Sequence, residues 1–104
     1  MRNEDWNMAI KVTKSSGNVF EDLGFSGEEA ENLKIRSDLM IHVLQVIESR
    51  DLKQREAAEL FGVTQPRISD LARGKIELFS IDMLVTMLSH AGVHVSLVVE
   101  PATS

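Results

Sequence analysis

Gln54-Arg55-Glu56-Ala57-Ala58-Glu59-Leu60-Phe61-Gly62-Val63-Thr64-Gln65-Pro66-Arg67-Ile68-Ser69-Asp70-Leu71-Ala72-Arg73 is the run whose reading decides the fold. Ala57, Ala58, Leu60 and Phe61 recur at helical spacing, as a half-buried helix requires. Gly62 supplies the left-handed conformation that ends a helix without a Cβ penalty. Val63 is apolar and plugs the turn into a core. The Thr64 hydroxyl can cap a second helix, and Pro66 falls in that helix's first turn, where no intrahelical N–H partner is lost. Ile68 and Leu71, three apart, face inward. Gln65, Arg67, Ser69 and Asp70 are left on the outer side, and Gly74 stops the helix.

A small residue, Ala58, where two helices cross closely, and a turn glycine four residues later, Gly62, meet the steric requirement of a helix-turn-helix. The longer run from Leu52 to Lys75 is more specific than that spacing. It resembles the helix-turn-helix of the phage-repressor-like (Xre) family, carrying Gln54, Glu56, Ala57, Ala58, Leu60, Gly62, Val63, Gln65, Pro66, Ile68, Ser69, Leu71, Gly74 and Lys75 at the family's positions. Lys53 departs from it, standing where the family often has a threonine that caps the first helix.

The rest of the chain extends the architecture on both sides. Residues 1–17 are polar, with Trp6, Met8, Ile10 and Val12 alternating, as suits a short strand, a docking segment or a loose terminus. Trp6 reads as a satellite core residue or as a partner anchor. Ser26 and Glu29 form a capping box ahead of a long amphipathic helix reaching about Ser49, and Phe25 is placed to staple on Ala30. Leu33, Met40, Val43, Leu44 and Ile47 trace its expected inner face. Ser80 is a plausible cap for a further helix from Ile81 to about Ala91, with Ile81, Leu84, Val85 and Leu88 inward and Gly92 at its end.

Val93 to Val99 is rich in β-branched residues and reads as a strand, with Val93, Val95, Leu97 and Val99 on one face. A lone strand needs a partner, either its counterpart in a second copy or an N-terminal strand. Pairing between copies would give the two-fold homodimer that lets two recognition helices span half-sites one DNA turn apart. The expected class is therefore all-α: a five-helix, lambda-repressor-like domain at residues 18–92, with the helix-turn-helix at 54–73. Residues 93–104 form the dimerisation strand and tail.

Charge and composition narrow the function. The net charge of -5 over 104 residues argues on its face against a nucleic-acid binder. Its distribution does not. Residues 49–75 carry six Lys/Arg against four Asp/Glu, whereas the flanking segments are net negative. A basic face can still hold phosphates, with salt-sensitive affinity. The acidic remainder serves solubility or suits a basic partner. There is no cysteine, which excludes disulfides and thiolate metal sites and fits a reducing cytoplasm. No apolar run approaches the roughly 18 residues of a membrane span, and no stretch reads as a signal peptide.

Gln65 can contact adenine in the major groove with two hydrogen bonds, and Arg67 can do the same with guanine or reach a phosphate. Ser69 can touch a phosphate or a base edge, and Asp70 can accept from a cytosine amine. The resemblance implies that Gln65, Pro66, Arg67 and Asp70 line the major groove, while Gln54, Thr64 and Lys75 approach the backbone. Arg55 and Arg73 add positive charge. The competing reading of these polar residues is a solvated helix face. His90 and His94 have a ligand-like spacing, but Gly92 breaks the helix between them and no third ligand follows, so no metal or cofactor is expected. His42 falls mid-helix at the edge of the core. No nucleophile–base pair or phosphate loop points to catalysis.

The segment Asn18-Val19-Phe20-Glu21-Asp22-Leu23-Gly24-Phe25, the long helix and the helix-turn-helix occur in this order in the HigA-type antitoxins, which the chain resembles over roughly residues 18–99. That resemblance implies an autoregulatory repressor of a double-stranded DNA operator that also neutralises a RelE-like (HigB-like) mRNA endonuclease. A free-standing Xre-type regulator without a toxin, and an adaptor that keeps the fold without binding DNA, stay open at this point.

Overall fold

The computed structural model describes residues 19–101. The N-terminal segment with Trp6, Met8, Ile10 and Val12 lies outside the described residues, as do the last three residues of the tail.

Five α-helices follow one another in the described part: α1 (Val19–Asp22), α2 (Gly27–Ser49), α3 (Gln54–Phe61), α4 (Gln65–Ala72) and α5 (Ile81–His90). A 3-10 turn at Ile76–Leu78 joins α4 to α5. None of the helices is long and apolar enough to cross a membrane.

Local chemistry sets the helix ends. Ser26, Thr64 and Ser80 each occupy an N-cap in extended conformation and accept from the backbone N–H three residues on. Each bond satisfies one of the amides that a helix start leaves without an intrahelical partner. Lys53 at the start of α3 has only donors to offer. The reciprocal half of the motif works instead: the Lys53 backbone N–H donates to Glu56 Oε1 at 2.8 Å. The loss expected from the missing threonine is thus partly made good by the side chain at the third helical position.

The C-terminal ends share one geometry. Two or three residues past the ends of α2, α3, α4 and α5 a backbone N–H donates back to a carbonyl five residues earlier: Leu52 to Ile47, Val63 to Ala58, Lys75 to Asp70 and Val93 to Leu88. This bond is the signature of a Schellman ending and needs a left-handed residue just before the donor. A glycine fills that position in three cases. After α2 it is Asp51, at φ 54°.

The core lies between α2, α3, α4 and α5. Phe61, Leu71, Leu84, Leu88, Val43 and Val46 are fully enclosed, and Phe79 joins them from the loop ahead of α5. Burying a side chain of this size contributes about 1.5–3 kcal/mol. Two sequence expectations are corrected here. On α2 the buried set is Ala30, Leu39, Met40, His42, Val43 and Val46, with Leu44 and Ile47 only packed at its edge and Leu33 half-buried. The helix carries an apolar arc wider than one stripe, and α5 selects which part goes deepest. It also takes His42 past the edge and into the interior. On α5, Met87 is buried beside Leu84 and Leu88, whereas Val85 stands exposed. At the N-terminal end, Phe25 meets Phe20 edge-to-face with ring centroids 6.2 Å apart.

A third correction concerns the C-terminus. Val93 to Val99 carries no regular secondary structure, and no strand occurs among the described residues. A strand exists only through its ladder, and the described residues supply none here. The start of the segment is used otherwise. The Val93 N–H closes α5, its side chain is buried, and Val95 packs against the core. Leu97, Val98 and Val99 project with 64%, 69% and 88% of their surface exposed.

Candidate nucleic-acid interface

α3 and α4 pack directly on one another through the turn at Gly62. Gly62 adopts φ 74°, and both its neighbours are committed: Phe61 and the half-buried Val63 pack into the core. Ala58, at the crossing, is buried. The small residue and the turn glycine thus occupy the places that the sequence spacing assigns them.

The first turn of α4 presents Gln65 and Pro66 to solvent. Thr64 Oγ1 accepts the Arg67 N–H at 3.3 Å, which still leaves its hydroxyl hydrogen available to a phosphate oxygen. Ile68 and Leu71 turn inward and fix the rotation of the helix. Ser69 is half-buried. Gln54 is exposed at the start of α3, where backbone amides and the helix dipole favour an anion. Arg55 and Arg73 are exposed as well.

The electrostatics of this face differ from the sequence count. Three of the six cations of residues 49–75 are engaged within the fold. Arg50 Nη2 donates to the Ala91 carbonyl at 3.1 Å. Arg67 Nη1 donates to the Leu78 carbonyl at 3.2 Å, and its guanidinium lies over the Phe79 ring, 5.5 Å from the centroid. Lys75 Nζ stands 4.0 Å from Asp70 Oδ1, so a residue expected at a base edge and one expected at a phosphate partly neutralise each other. An ion pair this long and this exposed is worth about 0–1 kcal/mol. The cations left outward are Lys53, Arg55 and Arg73.

One contact of the turn has no signal in the sequence. His90, in the last turn of α5, places Nδ1 3.2 Å from the Phe61 carbonyl, at the end of α3. The imidazole therefore lies against Gly62 and leaves no room for a side chain there. His90, which the sequence spacing pairs with His94, is turned to the helix-turn-helix. Among the described residues no group of three or more His, Cys, Asp or Glu gathers as a metal site would need.

Two short helices joined through a left-handed glycine, the second with a capped and exposed first turn, define a helix-turn-helix domain, the fold of DNA-binding regulators. The family model described as a helix-turn-helix domain matches residues 19–100, and the chain belongs to that family. The match supports the Xre-like reading of the sequence. No curated protein matches the chain.

Proposed function

We propose that the protein is a sequence-specific transcriptional repressor that lays α4 in the major groove of an operator. The observation that carries this reading is the exposed first turn of α4, with Gln65 and Pro66 outward and Thr64 holding the turn in place. Gln65 is the residue suited to a base edge, through its paired donor and acceptor. Gln54, Arg55 and Arg73 approach the phosphates and set the register. Ser69 and Asp70 lie further along α4, and Asp70 meets a base edge only when its pairing with Lys75 is released.

Two copies are needed to cover a two-fold operator. The exposed run Leu97-Val98-Val99 supports pairing of the C-terminal segments, each completing the ladder that the other lacks. The resemblance to HigA-type antitoxins supports a second role, capture of a RelE-like endonuclease, and the net negative segments on either side of the helix-turn-helix suit a basic partner of that kind.

An electrophoretic shift on the DNA upstream of the protein's own gene, across a salt series, tests the reading. Wild type should bind specifically. Gln65→Ala should lose discrimination by about 1–3 kcal/mol at one base position, and Arg55→Ala should weaken binding to every sequence and flatten the salt slope by about 1. No specific shift by wild type, with or without the neighbouring gene's product, would sink the repressor reading. A neighbouring small basic protein that co-purifies with the chain supports the antitoxin role; a neighbour that does not associate refutes it.

A further inference from the structure

The turn at Ile76–Leu78 is gripped from two sides by arginines of different helices. From α2, Arg36 Nη1 donates to the Ile76 carbonyl at 3.1 Å and to the Phe79 carbonyl at 3.3 Å, with its own Nε held on Asn32 Oδ1 at 2.7 Å. From the first turn of α4, Arg67 donates to the intervening Leu78 carbonyl and covers the Phe79 ring. Phe79 is buried, so the shared ring is anchored in the core. Arg67 sits at the third position of α4, in the turn that presents Gln65 and Pro66.

The geometry points to Arg67 as a positioning residue rather than a base-contacting one. Together with Arg36 it brackets the 76–79 turn, ties the first turn of α4 to α2 through that turn, and so sets the pose in which Gln65 meets DNA. This inference rests on the DNA-binding reading. A guanidinium is suited to the role because it is planar, always charged and able to donate and stack at once. Swinging it out to a guanine would give up the Leu78 carbonyl and the aromatic face together.

A base-contacting arginine and a positioning one leave different traces. The first carries preference for one base pair, and the second carries affinity for all of them. The experiment selects binding sites from a random duplex pool, then measures affinities on a panel of single-base variants. Wild type, Gln65→Ala, Arg67→Ala and Arg36→Ala are compared, each corrected to the folded fraction by circular dichroism. Arg67→Ala and Arg36→Ala should keep the wild-type preference at every position, and the wild-type salt slope that a phosphate contact would flatten, while affinity falls on all duplexes by one common factor, roughly 2- to 30-fold. Gln65→Ala should lose preference at one position. If Arg67→Ala does not fold, Arg67→Met, which keeps an apolar stem against the Phe79 ring but offers nothing to a base edge, should fold and keep the wild-type preference.

Loss of preference for a single base in Arg67→Ala overturns the inference. So does unchanged affinity per folded molecule in Arg67→Ala and Arg36→Ala, which would make the bracket structural only. A wild type that enriches no sequence at all removes the DNA-binding reading itself, an outcome separate from either mutant result.

Discussion

Replacing Gly62 by alanine tests the construction of the turn, because Gly74 supplies a matched control. The two glycines have nearly the same backbone, φ 74° and φ 75°. For an L-residue that conformation costs about 1–2 kcal/mol, offset by about 0.4–1 kcal/mol from the lower entropy of the unfolded alanine chain, so both variants should lose about 0.5–1.5 kcal/mol from the backbone alone. Their surroundings differ. A Cβ on Gly74 meets nothing within 4 Å, whereas one on Gly62 comes to 2.5 Å from Nδ1 and 2.8 Å from Cε1 of His90. The imidazole must then swing away and release the Phe61 carbonyl, adding about 0.5–1.5 kcal/mol for the lost hydrogen bond. Gly74→Ala should thus cost about 0.5–1.5 kcal/mol and Gly62→Ala about 1–3 kcal/mol. At roughly 4–8 °C per kcal/mol for a domain of this size, Gly62→Ala should lower the melting temperature by about 5–20 °C. Urea unfolding and thermal melts of both variants, with and without His90→Ala, measure the terms separately. In the His90→Ala background, Gly62→Ala should cost no more than Gly74→Ala does. Equal costs for the two glycine variants in the wild-type background would refute the role assigned to His90.

Two further predictions concern helix ends. Asp51→Gly should stabilise the protein by about 0.5–1 kcal/mol, because the relief of a left-handed non-glycine exceeds the entropy glycine adds to the unfolded chain. A lower denaturant midpoint than wild type would count against the Schellman ending of α2. Thr64→Ala should cost about 1 kcal/mol by removing the acceptor for the Arg67 N–H, and Thr64→Ser should restore most of it. Equal midpoints for the alanine and serine variants would show that the cap contributes nothing.

The parts of this fold that are legible in the sequence are those decided within a few residues. Ser26, Thr64 and Ser80 cap helices because each hydroxyl needs only the N–H three positions on. Gly62 and Gly92 close helices because a left-handed residue redirects the next amide to a carbonyl five back, again within one turn. The spacing of Ile68 and Leu71 suffices to place them inward and Gln65 outward. The same locality explains why the helix-turn-helix could be found at all: its two helices and turn occupy one contiguous run.

What the tertiary structure alone decided depends on groups far apart in the chain. Which part of the α2 arc goes deepest, and that Met87 rather than Val85 faces it, follow from the packing of two helices against each other. Arg67 meets a carbonyl eleven residues on, and Arg36 one forty residues on. His90 reaches back 29 residues to Phe61. A backbone carbonyl has no sequence signature, since every residue carries one, so no motif could reveal these partners. The C-terminal segment shows the same limit: β-branched residues state a preference for strand, but only a neighbouring strand can supply the ladder. Sequence by itself determined that the chain builds a helix-turn-helix. Its folded packing decided which of the basic residues remain outward, because Arg50, Arg67 and Lys75 are engaged by a carbonyl or carboxylate that only the fold brings within reach.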